Sequence, residues 1–379
     1  MESLKKSNNS IIFINPYAGV NFDIPNVGLA YIATHFNVKV IDLNTKRYPK
    51  NRFLKYKVDI LGISVQSRTY KEAIKISEIY RKKYPSAKIE SVSGIIDIQC
   101  CYPYVEFEDN IKVDIPFSDN LPFPDYELFD SFDVFKKNWE KNVWNYPIMT
   151  SQGCPYQCIY CMSRNRKYLT RSPENCYEEL KVAKERWDIK SFSILDDCFN
   201  VDKKRVIKFC ELVKNLNLSW SCANGLRADK FDEDVAIALK ESGCSHISFG
   251  IESIDDEVLK TVKKGETSKE IENAVIIAKK YFDSVNGFFI IGLPGSSYEK
   301  DLKSLEWAKK MGINAHFSYY VPFDKGMQYD LLFYGIGAKP VSETYPKELQ
   351  KKIYKMTYSM RPVQPFITRI VNKLKGLLK

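Results

Sequence analysis

Short apolar segments alternate with helical segments along most of this sequence. The first strand-like runs are residues 11–16, 38–43, 59–65 and 88–94. Each is rich in β-branched residues and bounded by turn residues, and the stretch between the third and fourth runs carries apolar residues at helical spacing. Because parallel strands need a crossover helix, this alternation predicts a doubly wound, Rossmann-like parallel sheet in residues 1–115.

The same alternation resumes near residue 146 and continues for six units. The strand-like segments are 147–153, 190–197, 218–224, 246–253, 287–295 and 315–323. Six successive βα units predict a partial (β/α)6 barrel of the TIM type over residues 146–330, with its chemistry at the C-terminal ends of the strands. The Pro- and Asp-rich residues 116–145 are expected to form a linker. Residues 331–379 are expected to form a basic, helical C-terminal region.

Composition and the N-terminus bear on the cellular compartment. Hydrophobic residues make up 44% of the 379-residue chain, which is enough to fill substantial cores. No apolar run approaches the roughly 18 residues of a membrane span. The opening MESLKKSNNS lacks the apolar segment of a secretory signal, so a cytoplasmic location is expected. Ten cysteines in a reducing compartment favour metal binding or buried thiols over disulfides.

The positive charge is concentrated in the C-terminal tail. Residues 345–379 hold nine Lys or Arg against Glu348 alone, so the tail supplies +8 of the net +10 and the rest of the chain only +2. A general nucleic-acid-binding surface is therefore not expected. Apolar residues between Phe366 and Leu378 recur at helical spacing. This amphipathic helix either packs on the barrel or attaches to an anionic membrane surface or a lipid-like substrate.

The stretch SQGCPYQCIYCMSRNRKY, residues 151–168, places three cysteines directly after the first barrel strand. Cys154, Cys158 and Cys161 form a C-x3-C-x2-C row. A structural zinc site normally needs four protein ligands, often as two C-x2-C pairs, and only one such pair is present. Three thiols within eight residues beside Pro and Tyr also make poor core. We therefore favour an iron–sulfur cluster held by three thiolates, with one iron open to a ligand.

With Tyr160 in the aromatic position, this row resembles the signature of the radical S-adenosylmethionine (radical SAM) enzymes. The resemblance implies a [4Fe-4S] cluster on the three cysteines, whose open iron chelates S-adenosylmethionine. Reduction of the cluster would cleave the sulfonium to a 5′-deoxyadenosyl radical that abstracts hydrogen from the substrate. It also implies a reductant such as flavodoxin or ferredoxin, and a small-molecule, peptide or lipid substrate.

Flanking segments extend the resemblance over roughly residues 11–330. FSILDDCFNVDKKRVIKFCELV, HISFGIESIDDEVLKTVKKG and FFIIGLPGSSYE are similar, in this order, to the branch with a cobalamin-binding domain ahead of the barrel. Residues 95–120 are short for that domain and supply one strand, at about 110–117. Two outcomes stay open: cobalamin-dependent methylation, or a cobalamin-independent rearrangement, dehydration or bond formation. A non-enzymatic iron–sulfur or cobalamin-binding sensor is a third interpretation.

The resemblance assigns cofactor contacts to residues at strand ends. Asp196 and Asp197 are expected to accept hydrogen bonds from the S-adenosylmethionine ammonium group, although adjacent Asp residues also cap helices. Glu252 is expected to contact the ribose or the amino acid moiety, with an exposed salt bridge as the alternative. Arg227 pairs either with the S-adenosylmethionine carboxylate or with Asp229.

Adenine is expected to lie against the strand end at Ile290, where Gly292 begins a turn that permits close backbone approach. The other seven cysteines are interpreted as buried small hydrophobes, with Cys198 a candidate to face the substrate. No phosphate-binding or dinucleotide glycine pattern is present, and a Ser/His/Asp hydrolase is not supported. The sequence identifies no residue that acts directly on the substrate.

Overall fold

The computed structural model describes most of the chain and confirms the α/β fold class. The described residues are 10–19, 23–45, 47–65, 69–93, 109–112, 117–161, 163–222, 224–320, 322, 340–341 and 343–357. An N-terminal parallel sheet is followed by a six-stranded partial barrel, in the order that the sequence predicts.

The N-terminal sheet has five strands, and every neighbouring pair is parallel. The strands are β1 (Ile11–Asn15), β2 (Lys39–Asp42), β3 (Ile60–Ser64), β4 (Lys88–Ser93) and β5 (Asp109–Lys112), in the spatial order β2-β1-β3-β4-β5. Helix α1 (Val27–Phe36) connects β1 to β2, and α2 (Tyr70–Lys83) connects β3 to β4. The strand order reverses between β1 and β3. In doubly wound sheets that reversal is where ligands bind, at the C-terminal strand ends.

The barrel consists of two three-stranded parallel sheets joined edge to edge. Its strands are β6 (Tyr146–Ile148), β9 (Ser191–Ile194), β10 (Ser219–Cys222), β11 (Ile247–Glu252), β12 (Val285–Ile291) and β13 (Asn314–Tyr319). Single bridges between Trp220 and Cys244 and between Leu226 and Phe249 join the two sheets. A short antiparallel hairpin of β7 (Ser151–Gln152) and β8 (Leu169–Thr170) follows β6.

Helices cover the outside of the barrel between successive strands. They are α4 (Pro173–Trp187), α5 (Lys203–Val213), α6 (Glu233–Glu241), α7 (Asp256–Thr261), α8 (Ser268–Tyr281) and α9 (Tyr298–Met311), with α10 (Lys347–Met356) after the last strand. Local sequence fixes their starts. The Ser172 side chain caps α4 with proline at the first helical position, and Thr267 and Glu270 form a reciprocal capping box on α8.

Residues 117–145 are packed rather than extended, which differs from the linker expected there. The segment contains helix α3 (Phe132–Glu140), and its Tyr126, Phe135 and Trp139 are fully or almost fully buried. These rings join one continuous core that runs from β1 and α1 into the barrel. Phe132, Phe135 and Trp139 recur at helical spacing, but this short period stands beside Pro and Asp residues that are typical of a linker.

A buried polar cluster fixes α1 to the barrel. Arg171 is 0% exposed, and its Nη1 donates to the Tyr31 hydroxyl (2.9 Å) and to Glu179 Oε2 (2.5 Å). The Tyr146 hydroxyl donates to the other oxygen of Glu179 at 3.0 Å. Moving α1 away from the barrel would take the Tyr31 hydroxyl from the buried Arg171. Because a buried charge that loses a partner is strongly destabilising, this cluster holds α1 against the barrel.

The C-terminal edges of the two sheets face each other. Val27 and Tyr31, on the helix that follows β1, share a buried apolar cluster with Met149, which follows β6, and with Leu195, which follows β9. The strand ends where doubly wound sheets and barrels place their ligands therefore border one shared region.

Two expectations about the C-terminal region fall outside the described residues: the amphipathic segment 366–378 and most of the stretch after β13. Within the described part of the chain, none of the helices has the length and apolarity needed to cross a membrane.

Candidate metal centre and its surroundings

The three cysteines lie in the loop between β7 and β8, at the C-terminal edge of the barrel. Cys158 is buried, whereas Cys154 and Cys161 are partly exposed. The Cys161 N–H donates to the Cys158 carbonyl at 3.0 Å, which folds this part of the loop into a tight turn. Burial raises the pKa of Cys158, and raises that of Cys161 to about 11. An electropositive centre would be needed to keep such thiols deprotonated.

Asp197 holds the two ends of this loop together. Its Oδ2 accepts a hydrogen bond from the Gly153 N–H (2.9 Å), and its Oδ1 accepts one from the Ser163 hydroxyl (2.6 Å). Gly153 has a φ of +76°, and a side chain there would collide with the Lys167 carbonyl. The carboxylate expected to bind the S-adenosylmethionine ammonium group thus also positions the cysteine loop.

Asp196 is buried against the residues that precede the cysteine loop. It is 2% exposed and accepts hydrogen bonds from the Thr150 N–H (2.6 Å), the Thr150 hydroxyl (2.5 Å) and the Ser151 hydroxyl (2.7 Å). Burial raises its pKa, and these hydrogen bonds oppose the rise. Asp196 is buried, whereas Asp197 is partly exposed, so the expected contact with S-adenosylmethionine is not favoured for Asp196.

Arg227 forms an ion pair with Asp229, the second of the two partners that the sequence offered for it. Its Nε donates to Asp229 Oδ1 at 2.8 Å, while its other two nitrogens donate to the carbonyls of Lys264 (3.0 Å) and Gly265 (3.2 Å). The guanidinium lies 3.5 Å from the ring centroid of Tyr156, two residues after Cys154. Arg227 therefore braces the cysteine loop from one side.

Glu252 ends β11 in a strained backbone conformation. It is a non-glycine residue with a φ of +66°, and the β11–β12 register shifts between Gly250 and Glu252. Burial raises the pKa of its carboxyl group, and the Tyr160 hydroxyl is a hydrogen-bond partner of both this carboxyl and the Cys158 thiol. A strained carboxylate beside the cysteine loop is typical of a functional position.

Lys264 is a buried lysine that the sequence interpretation missed. It is 5% exposed, and its Nζ lies 3.2 Å from Glu266 Oε2 and 3.8 Å from Glu252 Oε1. Burial alone would lower its pKa, but Glu266 and Glu252 more than offset this and raise it. In the sequence, Lys264 follows Lys260 and Lys263 and looks like part of a solvated basic run. Only the fold distinguishes it from them.

Ile290 lies near the cysteine loop, and Gly292 begins the turn beyond it. Ile290 shares an apolar cluster with Cys158 and Tyr160. Gly292 has a φ of +79°, and a Cβ atom there would lie 2.9 Å from Oε1 of Gln350 on α10. The turn is therefore covered on that side by α10, while Ile290 remains the adenine contact expected from the sequence.

Cys198 lies against the cysteine loop. Its thiol and that of Cys154 are hydrogen-bond partners, and this contact lowers the pKa of Cys154. Cys198 itself is 3% exposed. The Cys198 thiol thus contacts Cys154 of the cysteine loop. Because Cys198 is buried, the structure does not favour the prediction that it faces the substrate.

The three thiols of the cysteine loop lie close enough to affect one another electrostatically. Among the residues described, no three His, Cys, Asp or Glu side chains gather closely enough to hold a single metal ion. A [4Fe-4S] cluster would spread the three thiolates over several irons.

Comparison with known proteins agrees with this interpretation. Residues 148–308 match the family profile of the radical SAM superfamily. An uncharacterized methyltransferase of Pyrococcus horikoshii is 35% identical over 211 residues, which cover 54% of this chain and 45% of that protein. The cytidylyl-2-hydroxyethylphosphonate methyltransferase of Streptomyces wedmorensis is 26% identical over 52% of this chain and 40% of its own length. The chain thus spans less than half the length of these relatives.

Two solved structures share the fold. The radical S-adenosylmethionine methyltransferase TsrM from Kitasatospora setae superposes with a TM-score of 0.65 at 16% identity, covering 81% of this chain and 72% of that one. The cobalamin-dependent S-adenosylmethionine radical enzyme OxsB superposes with a TM-score of 0.63 at 17% identity, covering 96% of this chain and 58% of that one. At these identities the comparison concerns architecture alone.

The two hydrogen bonds of Asp197 to Gly153 and Ser163 predict how the cysteine loop responds to mutation. Asp197→Ala removes two hydrogen bonds to a charged acceptor, each worth about 1.5–3 kcal/mol. We expect the iron content after anaerobic reconstitution to fall well below that of the wild type. The matched control is Asp234→Ala, which removes an exposed carboxylate of α6 that pairs with Lys203. Equal iron content in the two variants would contradict the claim that Asp197 holds the cysteine loop in place.

Proposed function

We propose that this chain, whose residues 148–308 form a radical SAM domain, cleaves S-adenosylmethionine to a 5′-deoxyadenosyl radical and uses it for cobalamin-dependent methylation of an organic substrate. The proposal rests on one observation: the C-terminal strand ends of the N-terminal sheet lie next to the C-terminal strand ends of the barrel. The cluster that contains Val27, Tyr31, Met149 and Leu195 brings the end of β1 to the ends of β6 and β9, and the cysteine loop begins three residues beyond Thr150.

The cysteine loop supplies the redox part of this proposal. A [4Fe-4S] cluster on Cys154, Cys158 and Cys161 would bind S-adenosylmethionine at its open iron and deliver the electron that splits the sulfonium. The protein residues bind and orient. Tyr160 and Ile290 provide an apolar wall beside Cys158, and the strained Glu252 presents a carboxylate beside them.

Lys264 is better suited than Arg227 to pair with the S-adenosylmethionine carboxylate. All three nitrogens of Arg227 already donate to protein acceptors, and its guanidinium is stacked on Tyr156. The Lys264 ammonium, by contrast, lies 3.8 Å from Glu252, beyond hydrogen-bond length. It lies close enough to Cys158 for the two groups to interact electrostatically. A ligand carboxylate beside the cluster could therefore accept from Lys264 without breaking a short contact to Glu252.

The rim of the N-terminal sheet offers an ordered platform for a corrin ring. The Asn44 amide holds the loop after β1 from both sides, accepting from the Ala18 N–H and donating to the Pro16 carbonyl, each at 2.9 Å. The fully buried Asp42 accepts hydrogen bonds from Asn15 Nδ2 at 2.8 Å and from Asn44 Nδ2 at 3.2 Å. The residues of this rim would hold cobalamin, and the bound cofactor would supply the methyl group. Its burial would give the affinity.

The first experiment tests cleavage itself. Anaerobically reconstituted and reduced protein is expected to convert S-adenosylmethionine to 5′-deoxyadenosine and methionine, quantified by liquid chromatography. The triple Ala variant of Cys154, Cys158 and Cys161 is expected to lose both the cluster's visible absorption and this product. A wild type with a full cluster and no 5′-deoxyadenosine under any reducing condition would overturn the proposal.

A second experiment tests Lys264 with a matched neighbour. In Lys264→Met, affinity for S-adenosylmethionine is expected to fall about 10- to 100-fold, the loss of one charge-assisted contact. Lys263→Met, an exposed lysine one residue earlier, is the control.

Decarboxylated S-adenosylmethionine shows whether Lys264→Met loses affinity because the carboxylate contact is gone or because the whole site is disturbed. The wild type should prefer the carboxylated ligand, and Lys264→Met should lose that preference while keeping its iron. A preference that survives the substitution would contradict the assignment of Lys264.

The cobalamin part has its own test, because residues 95–120 are short for a full cobalamin-binding domain. After incubation with hydroxocobalamin and removal of free ligand, we expect a retained corrin spectrum at about one equivalent per chain. Protein that cleaves S-adenosylmethionine but retains no corrin would refute methyl transfer. It would favour the cobalamin-independent alternative, a rearrangement, dehydration or bond-forming reaction.

A further inference from the structure

Cys198 is a buried thiol that the proposed function does not use. It lies directly after Asp197 and is 3% exposed. Its thiol and the Cys154 thiol are hydrogen-bond partners. A cysteine outside the C-x3-C-x2-C row therefore contacts one of the three cysteines that would hold the cluster.

Hydrogen bonds hold two segments of the chain side by side as far as this pair of thiols. The Thr150 N–H donates to Asp196 at 2.6 Å. Three residues later, the Gly153 N–H donates to Asp197 at 2.9 Å. The next residue along each segment is one of the two cysteines. Because the fold holds both thiols in place, a bond between them needs little movement of the backbone and no encounter by diffusion.

The other two cysteines of the row have hydrogen-bond partners that are not thiols. The Cys158 thiol has the Tyr160 hydroxyl as its partner. The Cys161 sulfur accepts a hydrogen bond from the Ser163 N–H at 3.4 Å. Cys158 is also buried, whereas Cys154 is partly exposed. Cys154 thus combines access for a small oxidant with a second thiol in direct contact.

We propose that Cys198 is a resolving cysteine, which forms a reversible disulfide with Cys154 when the cluster is lost to oxidation. This inference rests on the proposed function in one respect, namely that the cysteine loop holds an oxidisable cluster. The Cys154 sulfur becomes free to react once it is no longer a cluster ligand.

The oxidant in this reaction is a hydroperoxide, such as hydrogen peroxide. The peroxide takes two electrons from the Cys154 thiol and its O–O bond breaks, so that Cys154 becomes a sulfenic acid and one water is released. The Cys198 sulfur then attacks the Cys154 sulfur. The S–O bond breaks, a second water leaves and the S–S bond forms. Two thiols and one hydrogen peroxide thus give one disulfide and two waters.

The disulfide would keep Cys154 recoverable as a cluster ligand. Without a second thiol in contact, a sulfenic acid is oxidised further to sulfinic and sulfonic acids, which dithiothreitol does not reduce. A disulfide, by contrast, returns to two thiols by exchange with a dithiol.

The first test maps the disulfide in the wild type. Reconstituted protein is treated with hydrogen peroxide until the visible absorption of the cluster is lost. The remaining thiols are blocked with N-ethylmaleimide, and trypsin then leaves Cys154 in the peptide 142–164 and Cys198 in the peptide 191–203. We expect mass spectrometry to find these two peptides joined, and further cleavage after Tyr156 to assign the bond to Cys154. Bonds confined to the three cysteines of the loop, or no bond at all, would overturn the proposal.

The second test asks whether Cys198 protects the site. Cys198→Ser is compared with the wild type and with Cys244→Ser. This matched control removes a thiol that is 4% exposed and donates to the His246 carbonyl, just before β11. All three proteins should take up the same amount of iron before peroxide treatment.

The proteins are then treated with hydrogen peroxide, reduced with dithiothreitol and reconstituted again. The wild type and the control should regain most of their iron, and Cys198→Ser roughly half or less, because its Cys154 is oxidised beyond the sulfenic acid. Full recovery by Cys198→Ser would overturn the protective role. If the reduced wild type takes up no iron at all, the proposed function fails, and the disulfide map of the peroxide-treated protein still decides this inference.

Discussion

The structure depends on keeping three thiols at one edge of the barrel, on a loop without regular structure between β7 and β8. One anchor stands beside each cysteine. Asp197 holds Gly153, next to Cys154, and also holds Ser163, two residues after Cys161. The Val262 carbonyl accepts from the N–H of Ile159, next to Cys158. Ordering a loop costs about 1–2 kcal/mol of backbone entropy per residue, so anchors that sit at the ligands themselves are the efficient way to pre-form a metal site.

A second constraint is the buried charge behind the loop. Arg227 and Lys264 carry two positive charges, and Asp229, Glu252 and Glu266 carry three negative ones when ionised, which leaves one negative charge in excess. Burial raises the pKa of Glu252, so its ionised form gains from any additional cation nearby. S-adenosylmethionine carries a sulfonium, an ammonium and a carboxylate and is a net monocation. The site and this ligand are thus complementary in net charge.

The sequence predicted the architecture because its signals are local and repeated. The predicted segment 190–197 contains β9 (Ser191–Ile194), and the predicted segment 246–253 contains β11 (Ile247–Glu252). Both were recognisable because each is a short apolar run bounded by turn residues. Helix α3 was missed because its apolar residues Phe132, Phe135 and Trp139 give only two turns of helical period beside a Pro- and Asp-rich stretch, and their packing into the core is visible only in the fold.

The site was only partly predictable for a similar reason. The spacing of the three cysteines is visible in the chain, but Asp196 and Asp197 differ only in the hydrogen-bond partners that the fold gives each carboxylate. Likewise, Lys263 and Lys264 are equivalent in the sequence. They differ only after the turn that follows α7 buries one of them and exposes the other.

Electron paramagnetic resonance of the reconstituted, reduced protein tests the central claim most directly, namely that the cysteine loop holds a cluster with one iron open to S-adenosylmethionine. The spectrum is recorded without S-adenosylmethionine and again with it in excess. The account predicts the signal of a reduced [4Fe-4S] cluster whose g-values change when S-adenosylmethionine is added, because the ligand binds the cluster itself. A cluster signal that S-adenosylmethionine leaves unchanged at saturating concentration would contradict it.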